Sequence, residues 1–291
     1  MKVGLSMYSV HRRCGRDGWA VRDFLEYCRQ QNISSVELLD LFWLDVYKEL
    51  PETIAFLQEY GMTVSAYDVH NDFASPDASV RQAGLSSVRA GLEMANALKT
   101  RSVRIFAGNV APGIDFAAAR EWVVEGLRAA AKLAEEFDVQ LVLENHGQLA
   151  GRSEQVEALL ADVGSKYLTC AFDTGNFLLV ADHPLPALER LRNVVGHVHV
   201  KDFALSSSDE GLLSTDGRRY RFVPLGQGIV PLAEIVARLS QLGYDGTLSI
   251  EFEGEPDLSG IEHGLDVLRP LVATFTGSGH VSEDTARGDA R

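Results

Sequence analysis

The chain has 291 residues, 46% apolar and 23% charged, with a formal net charge of −14. That is enough for one large barrel or two small domains of ordinary globular composition. The acidic balance argues against a nucleic-acid binder, whose footprint is basic. No apolar run approaches the ~20 residues of a membrane span, so no membrane partner is expected. The first residues, Met1-Lys-Val-Gly-Leu-Ser6, enter a strand without a signal-peptide hydrophobic region, and a cytoplasmic location is expected. Cys14, Cys28 and Cys170 show no paired spacing and read as reduced thiols.

In chain order, residues 2–7 read as strand one. Residues 18–31 carry Trp19, Val21, Phe24, Leu25 and Cys28 at helical spacing. Strand two covers 33–39. The next helix is read over 51–60, with Pro51 at a tolerated first-turn position. Strand three covers 62–69 and a long helix 80–98. Strand four covers 101–107, and Asp115 caps a helix reaching residue 137. Strand five (139–144), a helix (154–160), strand six (168–173), a helix (185–191) and strand seven (196–202) follow. A helix over 231–242, strand eight (247–251) and a helix over 260–274 complete the pattern. Residues 277–291 are rich in Gly, Ser and charge and read as a disordered tail, leaving 1–276 as the catalytic domain.

Eight strands alternating with eight helices are the layout of a (β/α)8 TIM barrel. The alternative, a doubly wound open sheet, lacks its Gly-x-Gly-x-x-Gly signature after strand one. The segment 203–229 breaks the rhythm. It holds Gly217-Arg218-Arg219-Tyr220-Arg221 and would emerge at the active-site face, so it is a candidate lid, with Arg219 a candidate clamp for an anionic substrate.

Strand seven, Gly196-His-Val-His-Val-Lys-Asp202, puts Val198 and Val200 on one face and His197, His199 and Lys201 on the other. Burying imidazoles and an amine costs several kcal/mol, of order ~2–7 per unpaired group, unless something meets them. Strands five, six and eight end in Glu144, Asp173 and Glu251, each with apolar residues on the opposite face. Three carboxylates and one imidazole form an oxygen-rich set suited to one divalent ion, Mn first, with Mg, Co or Zn as alternatives. Of the two histidines, His199 is nearer the strand end and is the expected ligand. His197 lies deeper and orients a neighbour. Each carboxylate also has a structural reading. Glu144 and Glu251 could pair with Arg104 or Lys201, and Asp173 could cap the Thr174-Gly175 turn.

The chain resembles the sugar phosphate isomerase/epimerase family, the xylose isomerase-like barrels that include ketose epimerases, inosose-processing enzymes and apurinic endonuclease family 2. The resemblance runs from Met1 to about Thr274 and is carried by Leu143-Glu-Asn-His146, Phe172-Asp-Thr-Gly-Asn176, the strand-seven motif, Leu225-Gly-Gln-Gly-Ile229 and Gly243-Tyr-Asp-Gly-Thr-Leu-Ser-Ile-Glu251. It implies Glu144, Asp173, His199 and Glu251 as metal ligands. Many relatives carry histidine where this chain has Asn176, which argues against a multi-metal nuclease site.

The expected function is that of a metal-dependent sugar isomerase or epimerase. Glu144 and Glu251 act as the catalytic acid–base pair on a ketose, through a metal-stabilised enediolate. Loss of a β-hydroxyl from the same enediolate would make it a dehydratase. An apurinic endonuclease and a non-catalytic sugar-binding subunit are the readings from other classes. His70, His146, Asn176, Lys201 and Arg219 are the expected substrate contacts. The expected partner is a small sugar, and a homo-oligomer is left open.

Overall fold

The computed structural model describes residues 1–254 and 257–276. β1 (Lys2–Ser6) passes through a 3-10 turn into α1 (His11–Asp17) and α2 (Val21–Gln30). β2 (Ser35–Leu39), α3 (Val46–Glu59), β3 (Thr63–Asp68), α4 (Ala78–Leu98), β4 (Ser102–Ile105), α5 (Phe116–Phe137), β5 (Gln140–Glu144), α6 (Ser153–Val163), β6 (Leu168–Asp173), α7 (Pro184–Leu191) and β7 (Val195–Val200) follow in alternation. Then come β8 (Phe203–Leu205), β9 (Leu212–Leu213), β10 (Arg219–Phe222), α8 (Leu232–Gln241), β11 (Thr247–Ile250) and α9 (Ser259–Thr276). β1 to β7 and β11 close into a parallel barrel, β1 pairing with both β2 and β11. The expected TIM barrel is what the chain forms.

Both faces of each barrel strand are covered, so β2 is buried at all five positions. Leu38, Val103, Leu141, Phe172, Val198 and Leu248 belong to the apolar core under the helices. The inward positions are polar or small. Ser35 Oγ bonds Thr247 Oγ1 across the lumen at 2.8 Å. A Cβ on Gly4 would stand 2.4 Å from Thr247 Cγ2, so only glycine fits that layer.

Most element ends fall within a turn of the positions read from the sequence. There are three corrections. Residues 11–17 form an extra helix that the periodicity did not announce. α3 begins five residues before Pro51, because the Asp45 side chain caps it by accepting from Lys48 N, and Pro51 sits inside the helix. The 203–229 segment is not irregular: β8, β10 and β9 form a small antiparallel sheet. Asp202 pins that excursion at both ends, its carboxylate accepting from the N–H groups of Phe203, Gly226, Gly228 and Val230 at 2.9–3.1 Å. The three cysteines are free, as expected. No described helix is long and apolar enough to cross a membrane. The tail read over 277–291 lies outside the described residues.

Candidate metal centre and its cavity

β5, β6, β7 and β11 deliver Glu144, Asp173, His199 and Glu251 to one point at the C-terminal mouth, with one candidate ligand atom from each lying within 4.8 Å of the others. All four are buried. In the two carboxylates from β5 and β6 one oxygen is held and the other left over. Glu144 Oε1 accepts from Asn176 Nδ2 at 3.0 Å. Asp173 Oδ1 accepts from the N–H groups of Gly175 and Asn176, both at 2.8 Å. His199 Nε2 lies 2.9 Å from Glu37 Oε1. Glu144 Oε2, Asp173 Oδ2 and both ring nitrogens of His199 are buried without a hydrogen bond, the Nε2 contact to Glu37 being an ion pair. Arg104 Nε and Lys201 Nζ stand 3.2 and 3.4 Å from the two carboxylate oxygens. Orphaned polar atoms in a native interior call for an explanation. A divalent cation supplies one, since oxygen and imidazole donors from four strands suit Mn, Mg, Co or Zn.

The electrostatics separate the two glutamates. Burial pushes Glu144 up to about 7, with His199 and Arg104 pulling back and Glu251 and Asp173 adding to the rise. Burial would also raise Glu251, but Lys201 at 2.7 Å and then His199 outweigh it and hold it down at about 2. Burial opposes the charge on Lys201 as well, yet Asp173, Glu251 and Glu253 raise its pKa well above the ordinary value. Arg104 bridges Asp68 at 3.1 Å and Glu144 at 3.2 Å, its guanidinium lying 4.0 Å from the Phe106 ring centroid.

Beside the cluster is a cavity of about 280 Å³. Of the sequence-read residues, Glu144, Glu251, His70, His146 and Lys201 line it. His146 stacks obliquely on Phe106 at 4.9 Å. Desolvation in the cavity, then Lys201 and Arg104, lower its pKa, so the ring is neutral at pH 7. Two expected contacts are not brought to the cavity. Asn176 is buried behind the ligands and braces Glu144 and Asp173 instead. Arg219 sits in β10, where its guanidinium donates to the Gly211 carbonyl at 3.2 Å within the small sheet. The sequence reading missed Tyr8, Asp40, Asn71, Asp72, Asn109 and Glu253, which complete the wall. Each of them follows a barrel-strand end by one to four residues, a position that could have flagged it.

The model for the xylose isomerase-like TIM barrel family matches residues 25–271, and the chain belongs to that family. Among curated proteins, inosose dehydratase 2 of Bacillus cereus is 28% identical over 148 residues, 48% of this chain and 49% of that one. The chain thus spans about half the length of the curated relatives it matches. Among solved structures, a D-tagatose 3-epimerase-like protein superposes with a TM-score of 0.78 at 20% identity, covering 96% of this chain and 100% of the other. The IOLI protein with a bound zinc atom gives 0.75 at 16% identity, covering 94% and 99%. At such identities the likeness is one of fold.

Proposed function

We propose that the chain is a divalent-metal-dependent enzyme that removes a proton next to the carbonyl of an uncharged polyhydroxy ketone. The carrying observation is the convergence of buried ligand atoms that lack hydrogen bonds, beside a cavity of sugar size that charged, amide and imidazole side chains help to line. Glu144, Asp173, His199 and Glu251 would hold the cation, Mn first, with Zn supported by the solved relative that carries it. When bound it polarises a carbonyl oxygen as a Lewis acid.

The chain's own groups do the rest. Glu144, its Oε1 held by Asn176 and its side chain on the cavity wall, takes the proton from the substrate carbon. Glu251, hydrogen-bonded to Lys201, is the second carboxylate on the cavity wall, placed to pass a proton back. Return to the same carbon is epimerisation, and return to its neighbour is aldose–ketose isomerisation. His70, His146, Asn109 and Tyr8 face the cavity and offer hydrogen-bonding groups to hydroxyls. A second outcome, loss of a β-hydroxyl as water, is favoured by the dehydratase name of the curated relative.

The charges of the wall support an uncharged substrate. Its two permanent cations, Arg104 and Lys201, are both engaged by carboxylates, and Asp40, Asp72 and Glu253 add negative charge. Among the described wall residues no permanent cation is left to receive a phosphate. Incubation of the Mn-loaded protein with ketoses, keto-inositols and their monophosphates in D2O, followed by NMR, is the test. Deuterium entering the α-carbon of a neutral substrate without loss of water is expected of proton return. A dehydrated product moves the assignment to a lyase. Turnover of phosphorylated substrates as fast as neutral ones would overturn the charge argument, and no exchange with any would overturn the proposal.

A further inference from the structure

β2 gives no ligand to the cluster, yet Glu37 is wholly buried against it. Its Oε2 is 2.5 Å from His197 Nε2, and its Oε1 is 2.9 Å from His199 Nε2. The two rings meet edge to face at 5.2 Å. One carboxylate thus engages two imidazoles. His199 turns its other nitrogen, Nδ1, toward Glu144 Oε2 at 3.6 Å and Glu251 Oε2 at 3.9 Å.

We propose that Glu37 is the positioning residue that makes His199 an Nδ1 ligand, and that His197 is the clamp that holds Glu37 for this task. The inference rests on the metal-centre reading above. A neutral imidazole has one N–H and one lone pair, so whichever nitrogen keeps the proton decides which one can ligate. A proton kept on Nε2, beside the Glu37 carboxylate at 2.9 Å, puts the lone pair on Nδ1, the nitrogen facing Glu144 and Glu251. A carboxylate acceptor also makes the ligating nitrogen more basic than a neutral acceptor would. The second imidazole matters because a carboxylate buried in the lumen with one donor would be free to swing. His197 Nε2 fixes its far oxygen. On the β3 side, Asp68 is held by Arg104 at 3.1 Å.

Zinc titration of the chelator-stripped full chain against a chromophoric competitor tests this, with wild type, Glu37→Gln and His197→Gln compared. Glu37→Gln keeps shape and an acceptor but loses the charge, and should weaken zinc about 10–100-fold. His197→Gln should weaken it less, in the same direction. In 15N-histidine spectra of the zinc-loaded wild type, His199 should show a coordinated Nδ1 and a protonated Nε2. Coordination through Nε2, or wild-type zinc affinity in a folded Glu37→Gln protein, would overturn the inference. If Glu37→Gln does not fold, His197→Gln and the wild-type spectrum carry the test. Failure of the wild type to bind zinc would sink the metal centre itself, and this inference with it.

Discussion

Glu144 and Glu251 are the same residue type in the same cluster, and their surroundings drive them apart. Glu251 has Lys201 at 2.7 Å, whereas Glu144 has an amide at 3.0 Å and a more distant guanidinium contact. Glu144 therefore holds its proton up to about 7 in the metal-free fold, against an ordinary value of 4.5. Since the folded value is raised, this proton's contribution to stability is full below about 4.5 and fades as the pH rises through about 7. A cation must displace that proton, so cation binding has the opposite pH trend. Affinity should be at least about tenfold weaker at pH 6 than at pH 8, the share of the Glu144 proton alone at a pKa near 7, with the raised His199 adding to the same trend. Titration by calorimetry at the two pH values in matched ionic strength would check it, and equal affinities would mean that binding displaces no proton from Glu144.

At the scale of the element, the barrel rim repeats one device. Where a parallel ladder ends, a short polar side chain spans to the next strand and satisfies both an N–H and a C=O there. Asn145 does this across β5–β6, accepting from Asp173 N at 2.7 Å and donating to Asp173 O at 3.1 Å. Thr174 Oγ1 does it across β6–β7 with Lys201, at 2.8 and 2.9 Å. Asn71 does it across β3–β4 with Phe106, at 2.7 and 2.9 Å. Ser9 closes β1 to β11 through Ile250 O at 3.0 Å and Phe252 N at 2.9 Å. The first two stitches fix the backbone of a candidate ligand and of the lysine that pairs with another. The Asn145 side of Leu143-Glu-Asn-His146 is thereby explained as scaffold, not chemistry. Asn145→Ala would leave two buried backbone groups of Asp173 unpaired and should cost about 2–4 kcal/mol in urea unfolding. A loss under ~0.5 kcal/mol, the range of a neutral surface change, would refute the stitch.

At the scale of the molecule, the lumen concentrates buried acid. Glu37, Asp68, Glu144, Asp173 and Glu251 face Arg104, Lys201 and two imidazoles, in a chain already at −14. Burial pushes the Asp68 pKa well up, against the pull of Arg104 and with the push of Glu37, so part of this excess is relieved by protons. A bound cation would relieve it further. At 100 times its dissociation constant such an ion stabilises by about 2.7 kcal/mol, which should raise the melting temperature by roughly 5–10 °C for a barrel of this size. Stripping with chelator and adding back Mn, Mg, Co or Zn in a thermal-shift series measures this. No rise with any of the four would remove the metal centre from the structure.

The sequence by itself determined the alternation of strand and helix, and with it the barrel. It also marked Glu144, Asp173, His199 and Glu251, because each stands at the C-terminal end of a short apolar run. Both signals are local: periodicity and strand ends are written within about ten residues. Tertiary structure decided everything that depends on where separate loops meet. It folded 203–229 into a sheet that keeps Arg219 away from the cavity, and it turned Asn176 from a substrate contact into a brace. It also assembled Tyr8, Asp40, Asn71 and Glu253 into one wall from the ends of different strands. Closure of a barrel brings residues more than two hundred positions apart, such as Ser9 and Phe252, within 2.9 Å. No run of neighbouring residues records that contact, since it exists only once β1 pairs with β11.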